Sequence, residues 1–137
     1  MSITLPAAAR AIAAGDAVAE LDADEVARRL VAILTRPLVA LLTGVSATRV
    51  VRTWEERGNI AEERERALRA ALQASLIIKT RFKDGVVRNW FSGHNTMLED
   101  RAPGELVLAL TKLPPLSQAA ADTGREILAA ARAFVTR

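Results

Sequence analysis

Residues 88–107 read RNWFSGHNTMLEDRAPGELV. The stretch holds one of two tryptophans and the only histidine of a chain whose aromatic content is 4%. Upstream, "VVRNWF" (86–91) reads as a short helix ending near Gly93. Downstream, Pro103 is placed to open another helix, because proline at the first helical position gives up only an N–H that has no intrahelical partner. The polar residues between predict a corner. Trp90 is expected to lie buried between the two helices with its N–H on an acceptor. Asn95 is expected to bond backbone groups of the loop and to tolerate left-handed geometry. Leu98 should plug the loop into the core. With Leu106 these residues give the spacing W-x4-N-x2-L-x4-P-x2-L. An architectural role for Trp90 and Asn95 outweighs a catalytic one.

The rest of the chain reads as helices too. Val26, Leu30, Ile33 and Leu34 recur at helical spacing after Asp22 and Asp24, either of which can cap the N-terminus. Pro37 ends that helix or starts the next. "PLVALLTG" (37–44) is a short helix stopped by Gly44, and "SATRVVRTWEER" (46–57) a second, with Ser46 as its cap and Gly58-Asn59 as its stop. A long helix is expected from about Ala61 to Lys83, with Leu68, Leu72 and Leu76 on one face and its first Glu and Arg residues forming a solvated face. Pro114-Pro115 separates the helix opened by Pro103 from a last one, about Leu116–Val135. No strand alternation of useful length appears, so the expected class is all-α.

Residues 38–58 carry a candidate helix-turn-helix. Ala40 is small enough for one helix to cross another, and Gly44 can supply a positive φ in the turn. Val45, Val50 and Trp54 are expected to lie inward. Ser46, Thr48, Arg49 and Arg52 would then face outward from the start of the second helix, where a DNA groove or phosphate can be met. Glu55 and Glu56 on the same helix would repel phosphate.

Composition narrows the chemistry. The chain has 137 residues, half of them apolar, no cysteine and a formal charge of +3. One domain, or two small units sharing a core, fits that length. Without cysteine there is no disulfide frame or thiolate metal site. Charges interrupt every apolar run, so no membrane span is expected. "MSITLPAAARAIAAG" has neither the charged start nor the leucine-rich middle of a signal peptide, and a cytoplasmic chain is expected. Residues 1–35 carry three basic and five acidic side chains, whereas residues 45–90 carry ten basic and six acidic. The basic excess thus sits in the middle third, and sixteen of the nineteen cations are arginine, which suits bidentate contacts to phosphate or guanine. The alternative is that these arginines solvate helices. A lone histidine, His94, makes a poor metal site. Ser92 and His94 lack an orienting acid, and no glycine-rich phosphate loop appears. No catalytic residue, metal site or cofactor is expected.

The corner spacing resembles the signature of the Xre/MbcA/ParS-like antitoxins, whose segment commonly looks like "WLxxPNxxLxxxxPxxLL" and stands here as "WFSGHNTMLEDRAPGELV". Trp90, Asn95, Leu98, Pro103 and Leu106 match it. His94 takes the place of a frequent proline, and Glu99-Asp100 that of a frequent glycine pair. These antitoxins commonly place an Xre-like helix-turn-helix upstream, so the resemblance covers roughly residues 22–110. It implies an N-terminal arm (1–21), a helix-turn-helix unit with its connecting helix (22–83) and a toxin-binding unit (84–137). It implies as partners a cognate RES-domain toxin that consumes NAD or ADP-ribosylates targets, and operator DNA, for a chain expected to be a homodimer. The toxin-facing residues expected on the last helix are Arg125, Arg132, Phe134 and Arg137, since arginine suits a pocket built for NAD phosphates. A helix-turn-helix regulator without a toxin is the alternative.

Overall fold

The computed structural model describes residues 16–136, so Arg137 and most of the expected N-terminal arm lie outside the described residues. Among them are seven α-helices and no strand: α1 Ala23–Leu34, α2 Arg36–Thr43, α3 Thr48–Arg57, α4 Glu62–Lys79, α5 Asp84–Ser92, α6 Pro103–Leu110 and α7 Gln118–Val135. Short 3-10 turns occupy Ala17–Glu20 and Thr96–Leu98. No described helix is long and apolar enough to cross a membrane.

Helix α4 is the hub. Its sequence ALRAALQASLII (67–78) is apolar on more than one side, and Ala67, Leu68, Ala70, Ala71, Leu72, Ala74, Ile77 and Ile78 are all buried. The buried face is wider than the leucine stripe expected, and Leu76 is only half-buried. A helix apolar nearly all round has to be enclosed. It packs against α1, α2, α5, α6 and α7, and small alanines let those neighbours approach. Ser75, fully buried, donates its hydroxyl to Ala71 O at 2.7 Å and so leaves no unpaired donor. Apolar side chains from both expected units, Val26 to Val135, join in one continuous core.

Helix ends follow local chemistry. Pro37 lies in the first turn of α2, so it opens that helix. Asp22 holds the cap position of α1 without a side-chain bond to it. Helix α4 stops at Lys79, four residues early, because Thr80 and Arg81 donate backbone N–H groups to Ile77 and Ile78 and tighten the last turn. Helix α7 starts at Gln118 because Ser117 Oγ accepts from Ala120 N at 3.1 Å. Within α1, hydrogen bonds from Arg29 and then Arg28 hold the Glu25 carboxyl below its usual range.

The last carbonyls of a helix lack intrahelical donors and carry the negative end of its dipole. Four helices have theirs met by an arginine from elsewhere in the chain, three from another helix and one from the α4–α5 connection. Arg88 donates to Ile33 O of α1 at 2.8 Å, and Arg64 to Thr43 O of α2 at 3.2 Å. Arg28 donates to Glu55 O of α3 at 2.7 Å, and Arg81 to Val135 O of α7 at 3.0 Å. Arg69 binds Val18 O and Leu21 O at once, tying down the first 3-10 turn, and Arg66 binds Pro115 O. The arginines at the start of α4, expected as a solvated face, are therefore partly internal, and Arg64, Arg66 and Arg69 are each half-buried.

Replacing Arg88 by methionine keeps most of the apolar stem and removes the bond to Ile33. The expected loss is about 1.5–3 kcal/mol, the usual range for a hydrogen bond from a charged donor. Exposed Arg52 makes no ion pair among the described residues, so Arg52→Met should shift stability by no more than about 0.5 kcal/mol. Urea denaturation midpoints measure both, and equal effects would remove the distinction between stapling and solvated arginines.

Candidate functional site

Helices α2 and α3 pack together across a tight turn. Gly44 has φ +74°, and Val45 N donates to Ala40 O at 3.1 Å, the bond that closes the end of α2. A Cβ on Gly44 would sit 3.0 Å from Leu108 Cδ1, so both the backbone angle and the space favour glycine. Thr43, buried, donates its hydroxyl to Val39 O at 2.7 Å. Trp54 is buried as expected, at 5% exposure, but the fully buried valine of α3 is Val51 rather than Val50. Val45 and Val50 are half-buried against the core. The helix therefore sits about one residue round from its expected register, with Val51 and Trp54 three apart facing the core.

The outward face holds the four residues singled out for phosphate or base contacts. Ser46, Thr48, Arg49 and Arg52 are all exposed. Ser46 is not the cap of α3. Ala47 holds that position, and among the described residues no side chain bonds the first N–H groups. Those donors and the positive end of the helix dipole thus lie open, with no acidic residue in the first turn. Arg49, Arg52 and Arg57 make no ion pair among the described residues. Glu55 is tied up: Arg36 forks onto it, with Nε–Oε2 at 2.6 Å and Nη2–Oε1 at 3.1 Å, and the Glu55 carboxylate raises the Arg36 pKa. Of the two carboxylates expected to repel phosphate, only Glu56 remains exposed with no hydrogen bond or ion pair among the described residues.

The corner brings the other five residues together. Trp90 is 7% exposed and meets Phe91 edge to face, ring centres 5.1 Å apart. Leu98 and Leu106 are buried at 2% and 1%, and Pro103 opens α6. Asn95 Oδ1 accepts from Met97 N at 2.9 Å, and its carbonyl accepts from Leu98 N and Asp100 N. Asn95 itself is extended, with φ −129°. The left-handed positions expected of it fall instead on Glu99 and Asp100, φ 56° and 63°, where the resembled pattern often has glycines. Helix α6 is pressed in so closely that a Cβ on Gly104 would lie 2.8 Å from both Leu42 Cδ2 and Phe91 O. The tryptophan departs from expectation in one respect: its Nε1, buried, has no acceptor among the described residues.

On α7, Arg125 and Arg132 are exposed, and Arg125 pairs with Asp122 one turn away. Phe134 is half-buried against Phe82 of the α4–α5 connection, ring centres 4.9 Å apart. Ile127, Ala131 and Val135 close the core. These residues do not converge with the α3 face. His94 and Ser92 are exposed, and no group of metal-ligating side chains occurs among the described residues. The arginine staples were invisible in the sequence, because an arginine on a polar helix face looks the same whether or not a neighbouring helix ends beside it. Gly104 had a usable signal, a glycine directly after a helix-opening proline.

Two stability changes of opposite sign follow. Trp90→Ala should cost roughly 3–5 kcal/mol, as large aromatic truncations in cores do. Glu99→Gly should stabilise by about 0.5–1 kcal/mol, because a left-handed angle strains a side-chain-bearing residue and not glycine. Thermal melting separates them, and a destabilised Glu99→Gly variant would mean the loop conformation is not strained.

Compared with protein-family models, with curated proteins and with solved structures, the chain matches none.

Proposed function

We propose that this chain is an antitoxin that neutralises a RES-domain toxin and binds its own operator DNA through α3. One observation carries the reading: the five residues of the W-N-L-P-L spacing form a single closed corner, packed behind a short helix pair whose second member presents arginines with no ion pair among the described residues. The first half of that observation supports the family resemblance, and the second supports DNA binding. At the start of α3, uncapped N–H groups and the Ser46 and Thr48 hydroxyls suit phosphate oxygens. Arg49 and Arg52, three residues apart, suit a groove edge or the backbone beside it. No catalytic role is assigned to any residue, and the chain acts by binding.

The toxin-facing surface is assigned to α7, where Arg125 and Arg132 are exposed. One observation favours the regulator without a toxin. Phe134 is stacked on Phe82 and Val135 is buried, so the end of α7 serves the core of this chain as well as any partner. Truncation at Arg132 would remove both of these contacts and would test folding rather than neutralisation.

Two measurements test the proposal. Co-expression with a RES-domain toxin should rescue growth and yield a copurifying complex, and Arg125→Glu with Arg132→Glu should abolish both while leaving helicity intact. Rescue without complex formation, or no rescue by the native chain, would leave the regulator reading. In gel shifts on the upstream promoter region, Arg49→Ala with Arg52→Ala should weaken binding. It should also make the log affinity–log salt slope shallower by about 1.8, at about 0.9 per phosphate contact. An unchanged slope moves the DNA site away from α3.

A further inference from the structure

Helix α6 turns outward a narrow face that carries its own complement. Pro103, Gly104, Leu106, Val107 and Leu110 are buried and fix the inward side. Glu105, Leu108 and Ala109 share the opposite side at helical spacing, with Glu105 exposed and the two apolar residues half-buried. Past the helix, Thr111 N donates to Leu108 O and Lys112 N to Ala109 O. These bonds continue the spiral as a 3-10 turn, so exposed Lys112 lies on the same side as Glu105. Neither Glu105 nor Lys112 makes an ion pair among the described residues.

Helix α2 extends this face. Leu108 Cδ1 stands 3.0 Å from where a Cβ on Gly44 would be, so Leu108 rests against the end of α2. One turn before Gly44 is Leu41, 69% exposed. Leu38 and Val45, half-buried, lie three and four residues to either side of it and continue its row. Residues 37–48 form the longest run of the chain without a charged side chain. A single exposed leucine is ordinary on a protein surface, but this one belongs to an apolar row that meets α6 between an anion and a cation.

The occupant follows from the symmetry of the α6 positions. Two copies of α6 laid antiparallel, about a two-fold axis between Leu108 and Ala109, bring Glu105 opposite the partner's Lys112, and this happens twice. The same axis sets Leu108 against the partner's Ala109, large against small. An isologous interface makes this demand, since one patch has to be complementary to itself. An apolar centre with charges at its rim is also the usual anatomy of a protein interface.

We infer that this α2–α6 face joins two copies of the chain in an antiparallel dimer, with Glu105 paired to the partner's Lys112, Leu108 at the centre and Leu41 at the flank. The inference goes beyond the antitoxin and operator readings and uses no residue assigned to toxin or DNA.

Sedimentation equilibrium of the full chain tests it. Between about 1 µM and about 1 mM, monomer should pass to dimer with a dissociation constant of roughly 10–100 µM, because two short helices per copy give a surface at the small end of specific interfaces. Glu105→Lys or Lys112→Glu alone sets like charges opposite each other twice. Each should weaken association by about tenfold or more at unchanged helicity. An equimolar mixture of the two variants should regain it, since each supplies the charge that the other lacks. The chain carrying both changes should regain it too. Leu41→Glu, at an exposed position, should weaken it as the single reversals do. A chain that stays monomeric at the highest concentration overturns the inference. So does a dimer that any of the three single variants leaves unchanged, which puts the interface elsewhere. A mixture that associates no more tightly than its components overturns it as well. The measurement needs neither toxin nor DNA, so its failure is separate from failure of the growth-rescue or gel-shift tests.

Discussion

Helix ends are the recurring problem of an all-α chain this short, and here arginine solves it. Each helix leaves carbonyls without donors, and in a bundle of seven short helices many of those ends lie against neighbours rather than in water. Arg28, Arg64, Arg81 and Arg88 reach across to four of them, and Arg69 closes the N-terminal turn onto α4. The guanidinium is suited to this task. It directs several N–H groups at fixed angles, so that Arg28 can hold Asp24, Glu25 and Glu55 O together. A lysine has the charge and lacks the fork. The arginine-rich composition is therefore partly an architectural requirement.

This use of arginine also reshapes the electrostatic picture. The middle third carries the basic excess in the sequence, yet most of its cations are spent within the fold, and Lys79 pairs with Asp84. What is left unpaired among the described residues of this third concentrates on α3. A charge excess spread along a third of the chain becomes, in three dimensions, a few cations on one helix.

The elements were legible where a local rule had a single reading. Pro103 opens α6, Gly44 and Gly58 stop α2 and α3 with positive φ, and Trp54 and Trp90 are buried. Legibility failed where the answer depended on a distant neighbour. Ser46 satisfied the composition rule for a cap, but the cap position falls one residue later, at Ala47. Val51 rather than Val50 faces the core because the turn after Gly44 sets the rotation of α3, which apolar spacing alone leaves open to one position. The left-handed angles fall on Glu99 and Asp100 rather than on Asn95, whose side chain caps the 3-10 turn from an extended backbone. The Trp90 N–H, without an acceptor among the described residues, had no sequence signal at all, since it depends on what the corner loop fails to provide.

Helix α4 belongs to both halves of the chain, and its burial on several sides ties the α3 face and the α2–α6 face to one core. The two surfaces then share a single unfolding equilibrium. Any ligand held by one of them, in excess over its dissociation constant, withdraws population from the unfolded state of the whole molecule. Occupancy of one face thus lengthens the lifetime of the other against proteolysis, even if the two never change each other's shape.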